Sequence, residues 1–319
     1  MRLHADATLV ATGVAIALSL AGTAARADEG GVSFWLPGQM GSLAAVPGEP
    51  GFSLPLLYYH SSADASGDKQ FTRGSRVIAG LDASADILFA SPTYVLASPV
   101  GGAQASIGVG VGAGHVRVKV NATLSGPFGN AVSGAETDSL DGIADLYPTA
   151  SLKWHQGENN FMLYTMGGVP VGSYSPNQLA NLGTNHGSID GGGGYTYFNP
   201  KTGWEFSAVL GFTYNLENDD THYQNGTDIH LDWAVSRFLS QQVHVGLVGY
   251  IYNQLTADSG SGASLGDFKS RVNGIGPQVG YFLKSGARTY YMNAKANFEF
   301  ASKNRPDGWN LWLTVVIPL

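Results

Sequence analysis

Two groups of residues have the types and spacing of a reactive site, and the first is a serine between glycines. Gly262-Ala263-Ser264-Leu265-Gly266 matches G-x-S-x-G, the pattern that exposes a nucleophilic serine on a strained turn between a strand and a helix. The surrounding stretch, residues 258–262, is rich in Ser and Gly instead. We therefore expect a flexible external loop here, and a hydrolase is the lesser alternative.

Asp228, His230 and Asp232 form the second group. Alternate residues of a β-strand point to the same side and lie roughly 6.5 Å apart, so these three side chains share one face. A single metal ion could contact two of them only through extended side chains. We favour a hydrated polar lining, with a metal-binding or proton-linked site as the alternative.

The strands described below are expected to form a β-barrel. If the apolar residues of each strand face outward, further polar and aromatic residues face the interior, which we call the inner face. Inward aromatic rings can stack against a flat apolar solute or can simply fill a barrel of modest diameter. Most inward charges should form an internal electrostatic network, to which Asp86, Asp145, Lys153 and Arg117 would also belong. The candidates for contact with a solute in the lumen are Tyr147, Glu205, Asp228, His230, Asp232, His244, Tyr250, Tyr252, Gln278, Asn293, Lys295, Glu299 and Trp312.

The elements that must position these residues are β-strands with one apolar face. Leu311, Leu313, Val315, Ile317 and Leu319 recur at every second position, and this period of two recurs along the chain. A charged face opposite an apolar face with aromatic ends is typical of transmembrane β-barrels. Twelve strands are predicted, near 52–60, 76–90, 104–121, 141–155, 161–169, 186–198, 203–215, 226–239, 242–254, 271–283, 287–300 and 308–319.

The connections between these strands alternate in length. Short ones such as 199–203 and 284–286 fall between long ones such as 170–185, 215–225 and 255–270. An even strand number, short turns at one end and long loops at the other are expected of a single-chain barrel. The fold class is therefore all-β, an antiparallel transmembrane barrel of about twelve strands occupying residues 52–319.

Two segments depart from simple alternation. Beyond Ala113 the apolar residues move to even positions, which predicts Val116, Val118 and Val120 outward, Arg117 inward, and a bulge near Gly114. Residues 30–51 do not alternate at all. We interpret residues 28–51 as a lead-in or a small plug inside the barrel.

The N-terminus and the composition define the compartment. A weakly basic start, an apolar run over residues 7–20 and the small-residue site 25–27 predict a signal peptide cleaved after Ala27. The chain has no cysteine, so backbone pairing and burial must hold the exported fold. Its 17 Lys and Arg are scattered among 24 Asp and Glu, which argues against nucleic acid as a partner.

Several local sequences resemble one outer-membrane family, described as "Putative MetA-pathway of phenol degradation". The resemblance extends over nearly all of the expected mature chain. The segments that carry it are Asp145-Leu146-Tyr147-Pro148, Gly172-Ser173-Tyr174, residues 181–185, 214–218 and 221–226, His230-Leu231-Asp232, residues 249–254, 258–260 and 274–278, Glu299-Phe300 and Asn304-Arg305, with Trp35 to Gly41 fitting the family's opening.

This resemblance implies uptake and not catalysis. Members are similar to channels of the fatty-acid and toluene transporter type, so we expect passive entry of small hydrophobic or phenol-like compounds into a degradation pathway. The expected location is the outer membrane of a Gram-negative bacterium. The expected partners are outer-membrane lipid or lipopolysaccharide, a small apolar or aromatic solute and the barrel-assembly machinery, with no cofactor and no metal. A structural or surface-interaction barrel with a plugged lumen is the alternative.

Overall fold

The computed structural model of the protein describes residues 33–73, 76–125, 131–263 and 269–319. The predicted signal peptide, residues 1–27, and Ser264 of the G-x-S-x-G pattern lie outside the described residues. Over the described ranges no helix is long and apolar enough to cross a membrane. The fold is built from antiparallel strands.

Within the described ranges, fourteen strands form one sheet that closes on itself because β1 pairs with β14. The short β3 continues β2 along β1 and β4, and β5 and β6 occupy successive parts of β4, so the barrel has twelve strand positions, as predicted. The strands are β1 Gly51–Arg73, β2 Arg76–Ala90, β3 Thr93–Val95, β4 Gln104–Ser125, β5 Ala131–Ile143, β6 Tyr147–Gln156, β7 Asn159–Gly168, β8 Ser188–Asn199, β9 Trp204–Asn215, β10 Asp228–Phe238, β11 Val243–Gln254, β12 Arg271–Ser285, β13 Arg288–Lys303 and β14 Asp307–Pro318.

The two ends of the barrel differ as the connection lengths predicted. Short turns at 157–158, 200–203, 239–242 and 286–287 lie at one end, which we call the turn end. The connections at 169–187 and 216–227 lie at the opposite end, as do residues 255–263 after β11; we call this the loop end. Since β1 begins at Gly51, the segment before it enters the barrel from the turn end.

The predicted phase is confirmed for the strands from β9 to β11. On β9, Phe206, Leu210 and Phe212 are exposed outward, whereas Glu205 and Ser207 are buried inside. The same alternation holds along β10 and β11. An apolar outer face meets lipid and a polar inner face lines the lumen.

The predicted phase is wrong for β2 and for the second half of β4. Ile87 is 8% exposed and faces the interior, while its neighbour Leu88 is 55% exposed on the outside. Val116 and Val118 are also buried inside, and Arg117 lies outside. Asp86 is on the outer face too, bonded to His60 at 2.8 Å. These corrections replace a polar inner surface with an apolar one.

The change of pattern at Gly114 is also not a bulge. Pairing of β4 with β2 runs without a register shift from Val111 to Val120. What changes is the surroundings of the strand: apolar residues face outward up to Ala113 and inward from Val116. The apolar side chains of this second half of β4 belong to the apolar cluster inside the barrel.

Candidate functional site

Residues 33–50, which we call the plug segment, run along the inner wall of the barrel. The carboxylate of Asp232 accepts hydrogen bonds from the backbone N–H groups of Gly38 at 3.0 Å and Met40 at 2.9 Å. Asp232 projects inward from the middle of β10. Two backbone donors on one buried carboxylate fix this part of the plug segment in the lumen.

A second carboxylate holds the segment nearer the turn end. Glu205 accepts the backbone N–H of Leu43 at 3.0 Å and the hydroxyl of Ser42 at 2.7 Å. The hydroxyl of Thr196 accepts the backbone N–H of Ala45 at 3.1 Å. The plug segment therefore pairs with inward side chains of β8, β9 and β10 through its own backbone.

Inward cations bind the carbonyl groups of the same segment. Lys295 donates to the carbonyl oxygens of Gln39 at 2.9 Å and Met40 at 2.7 Å. Lys153 donates to the carbonyl of Val46 at 3.3 Å, and Gln278 donates to the hydroxyl of Ser42 at 2.7 Å. Four of the candidates for contact with a solute thus hold the plug segment instead: Glu205, Asp232, Gln278 and Lys295.

Trp35 is the largest side chain that the plug segment buries. Its indole has no exposed surface and lies on the imidazole of His230, with ring centroids 3.6 Å apart and planes 16° from parallel. The ring of Tyr164 lies 5.9 Å away on another side. His230 is bonded through Nε2 to Oδ2 of Asp190 at 2.8 Å, and Thr213 donates to the same oxygen at 2.6 Å.

Hydrogen bonds join β11, β13 and β14 at the point where the plug segment packs against them. Tyr250 donates to Glu299 at 2.7 Å and accepts from Asn310 at 2.9 Å. Gly38, with φ +82°, lies so close that a Cβ on it would be 3.0 Å from both Tyr250 and Asn297. Only glycine combines that backbone conformation with that approach.

The other side of the lumen has an apolar inner surface, which we call the apolar wall. It is covered at the loop end by Leu179, Ala180 and Leu182 of the connection between β7 and β8. Asp138 accepts the backbone N–H groups of Leu179 at 2.8 Å and Ala180 at 3.1 Å, which fixes this cover on β5. The apolar wall consists of Tyr59, Ile87, Phe89, Val116 and Val118, and Leu36 of the plug segment packs against it.

Other loop residues at the loop end form buried polar contacts, on the side of the lumen away from the apolar wall. Asp258 accepts hydrogen bonds from the hydroxyl of Tyr223, from the backbone of Gly226 at 3.0 Å and from Gln254 at 2.6 Å. His186 lies buried between Ser188 and Asn225. Burial lowers the pKa of His186 from its ordinary value, because the charged imidazolium would lose its hydration.

A family model, "Putative MetA-pathway of phenol degradation", matches residues 66–315. The chain belongs to this family. The match spans the strands from β2 to β14 and part of β1, so it covers the side chains that hold the plug segment and all of the apolar wall except Tyr59.

A solved structure supports the barrel fold of this family member. An outer-membrane channel from Pseudomonas putida F1 superposes with a TM-score of 0.66 at 15% identity, covering 89% of this chain and 100% of that chain. A Pseudomonas aeruginosa FadL homologue gives a TM-score of 0.42 at 8% identity, covering 84% and 90% of the two chains. Among proteins with curated functions, none matches the chain in sequence. The first of these structures shows that the fold is that of an outer-membrane barrel.

The predicted site residues of this family member lie inside the barrel but do not converge on one centre. Asp228, His230 and Asp232 are each 1% exposed, and they bond separately to Asn215, Asp190 and the plug segment. Among the described residues there is no group of three potential metal ligands. The trio is therefore three separate contacts along one face.

The other candidates take part in four different arrangements. His244 bonds to Tyr291 at 3.1 Å near the turn end, and Asn293 donates to the carbonyl of Val279 at 3.2 Å. Tyr147 and Trp312 belong to the apolar wall's cluster. Tyr252 is buried with the guanidinium of Arg305 5.3 Å from its ring centroid. These placements make each of them an interior residue, and contact with a solute stays a prediction.

Sequence reasoning missed Trp35, Tyr164 and Asp190 as a group. They lie on the plug segment, β7 and β8, and the glycine run at 191–194 obscures the alternation of β8. The sequence offered one signal, a carboxylate at Asp190 two residues after Ser188 and therefore on the same face of β8. In the structure Asp190 lies opposite Thr213 of β9. Nothing local in the sequence pairs Trp35 with His230.

Proposed function

We propose that the chain is an outer-membrane channel for passive uptake of small hydrophobic and aromatic compounds. The observation that carries the proposal is the apolar wall inside the barrel. Water-filled barrels of the porin type have polar interiors, whereas here Ile87, Phe89, Val116 and Val118 are buried on the inner surface. An apolar inner surface offers a greasy solute a path that does not require full hydration.

The proposed route begins at the loop end, which would face the outside of the cell. The solute would displace the cover formed by Leu179, Ala180 and Leu182, which Asp138 holds over the apolar wall through two hydrogen bonds. It would then reach the plug segment, where Leu36 contacts the same wall. Movement of the plug segment completes the passage, and no energy source is required.

A closed structural barrel is the second candidate, and the plug segment is the observation that favours it. Asp232, Glu205 and Lys295 together make six hydrogen bonds to residues of this segment. Hydrogen bonds to charged groups contribute about 1.5–3 kcal/mol each in proteins. A segment held this firmly would keep the lumen shut unless a solute or partner releases it.

Uptake by cells separates the two functions. A strain that lacks the gene is complemented with the wild type, with Val118→Asp or with Arg117→Asp, and entry of radiolabelled toluene is measured. Val118→Asp places a charge on the apolar wall, so we expect uptake to fall at least tenfold. Arg117→Asp changes the adjacent outward residue and should leave uptake near the wild-type rate. Equal uptake by the deletion strain and the wild type would refute the channel function.

A further inference from the structure

We propose that the pocket now filled by Trp35 is a binding site for hydroxylated aromatic solutes, and that Trp35 occupies it as an internal ligand which the solute displaces. The pocket is formed by Tyr164 on β7, Asp190 on β8 and His230 on β10. We call it the indole pocket. The inference rests on the proposed uptake function and assigns it a substrate class and a site.

The shape of the indole pocket suits one flat ring. The indole of Trp35 lies 3.6 Å from His230, within stacking distance, and Tyr164 closes a second side at 5.9 Å. Gly211 makes room below, because a Cβ on it would lie 2.1 Å from the hydroxyl of Tyr164 and 2.5 Å from Cε1 of His230. Only a residue without a side chain permits both rings to approach this part of β9.

The polar atoms of the indole pocket do not suit an indole. Within the described part of the chain, Nε1 of Trp35, the hydroxyl of Tyr164, Nδ1 of His230 and Oδ1 of Asp190 are buried and form no hydrogen bond. Buried polar groups are nearly always paired, and each unpaired one costs about 1–3 kcal/mol. Four unpaired atoms around one pocket indicate that the pocket is built for a different occupant.

An aromatic alcohol would remove this mismatch. Its ring would replace the indole on His230, and its O–H would donate to the open acceptor Oδ1 of Asp190. The other carboxylate oxygen, Oδ2 of Asp190, already accepts from Thr213 and contacts His230. An aromatic hydrocarbon without a hydroxyl would fill the space but leave the open acceptor unpaired.

Displacement of Trp35 would act directly on the plug segment. Trp35 precedes Gly38 by three residues, and Gly38 donates to Asp232, two residues from His230 on the same face of β10. A solute in the indole pocket therefore competes with the plug segment for the same strand. Since Trp35 occupies the site in the wild type, the apparent affinity for a solute is lowered by that occupancy.

The test is binding of phenol, anisole and toluene to the refolded full chain by titration calorimetry. Trp35→Ala empties the indole pocket, so it should bind phenol at least about tenfold more tightly than the wild type. It should also prefer phenol to anisole and toluene, which cannot donate a hydrogen bond. Phe34→Ala is the matched control, because Phe34 contacts Tyr147 and lies on the same plug segment. That variant should keep the wild-type affinity.

Two results would overturn the inference: phenol binding to Trp35→Ala that is no tighter than to the wild type, or equal affinity for phenol and anisole. Asp190→Asn in the Trp35→Ala background checks the acceptor independently, since it should reduce the preference for phenol. Permeation by the wild type is measured in parallel. Permeation without a phenol site leaves the uptake function standing, and a phenol site without permeation refutes uptake alone.

Discussion

The carboxylate of Asp232 on β10 accepts the backbone N–H of Gly38, 194 residues earlier in the chain, at 3.0 Å. This contact joins the wall of the barrel to the segment that closes it. The same carboxylate also accepts from Met40. The plug segment therefore depends on one side chain for two of its backbone hydrogen bonds.

Replacing Asp232 with Ala should release the plug segment. The change leaves the backbone N–H groups of Gly38 and Met40 unpaired, at a cost of about 1–3 kcal/mol each. It also removes a carboxylate from the side of the lumen where Lys295 binds Met40. We expect ion conductance across planar bilayers to rise well above that of the wild type. Asp228→Ala is the control on the same strand face, because Asp228 bonds to Asn215. Similar conductance in both variants and the wild type would show that Asp232 does not hold the lumen closed.

Gly211→Ala should destabilise the barrel. The added methyl would collide with Tyr164 and His230, and overpacking of this kind costs about 1–3 kcal/mol. We expect a lower urea midpoint of unfolding in detergent micelles. Gly193→Ala is the matched control: its Cβ would meet nothing closer than the carbonyl of Met162 at 3.4 Å, so its stability should change by about 0.5 kcal/mol or less. Equal loss in both variants would contradict the packing assigned to Gly211.

Acid should loosen the cover at the loop end through His186. Because burial lowers its pKa in the folded protein, the opened loop takes up a proton more readily than the closed one, and protonation opposes closure below about pH 6.5. Closure is therefore unaffected above that pH and weakens as the pH falls further. Hydrogen exchange of residues 169–187, corrected for intrinsic rates, should be faster at pH 5.5 than at pH 7.5. His186→Gln should lose this difference, and a difference that persists in the variant would exclude His186 as its source.

The sequence predicted the strands from β9 to β11 in the correct phase because their two faces differ in the usual way. Phe206, Leu210 and Phe212 face lipid, and Glu205 and Ser207 face the interior. When the inner surface of a barrel is polar, period-two alternation alone assigns both faces. The number of strand positions followed from the same pattern.

The same rule failed on β2 and β4 because the inner surface there is apolar. Ile87 and Val118 are buried inside, and Asp86 and Arg117 face outward. A period of two identifies the two faces of a strand but not which of them faces the lumen. That assignment depends on how far each strand extends beyond the lipid, which a single sequence does not give.

The plug segment was recognised by its lack of alternation, but its partners were not predictable. Trp35 and His230 are far apart in the chain, as are Ser42 and Gln278. Contacts of this kind depend on the closed barrel, and no local pattern encodes them. The lumen candidates were correctly placed inside the barrel. They were assigned to a solute, although several of them hold the plug segment, because those contacts could not be predicted.

The most direct test of the uptake function is permeation through the refolded protein in liposomes, comparing toluene and phenol with a hydrophilic solute of similar size. The apolar wall predicts faster entry of the aromatic solutes than into protein-free liposomes, with no gain for the hydrophilic one. A matched preparation of Val118→Asp should lose that gain. Equal entry with and without the protein for every solute would contradict the channel function and favour the closed structural barrel.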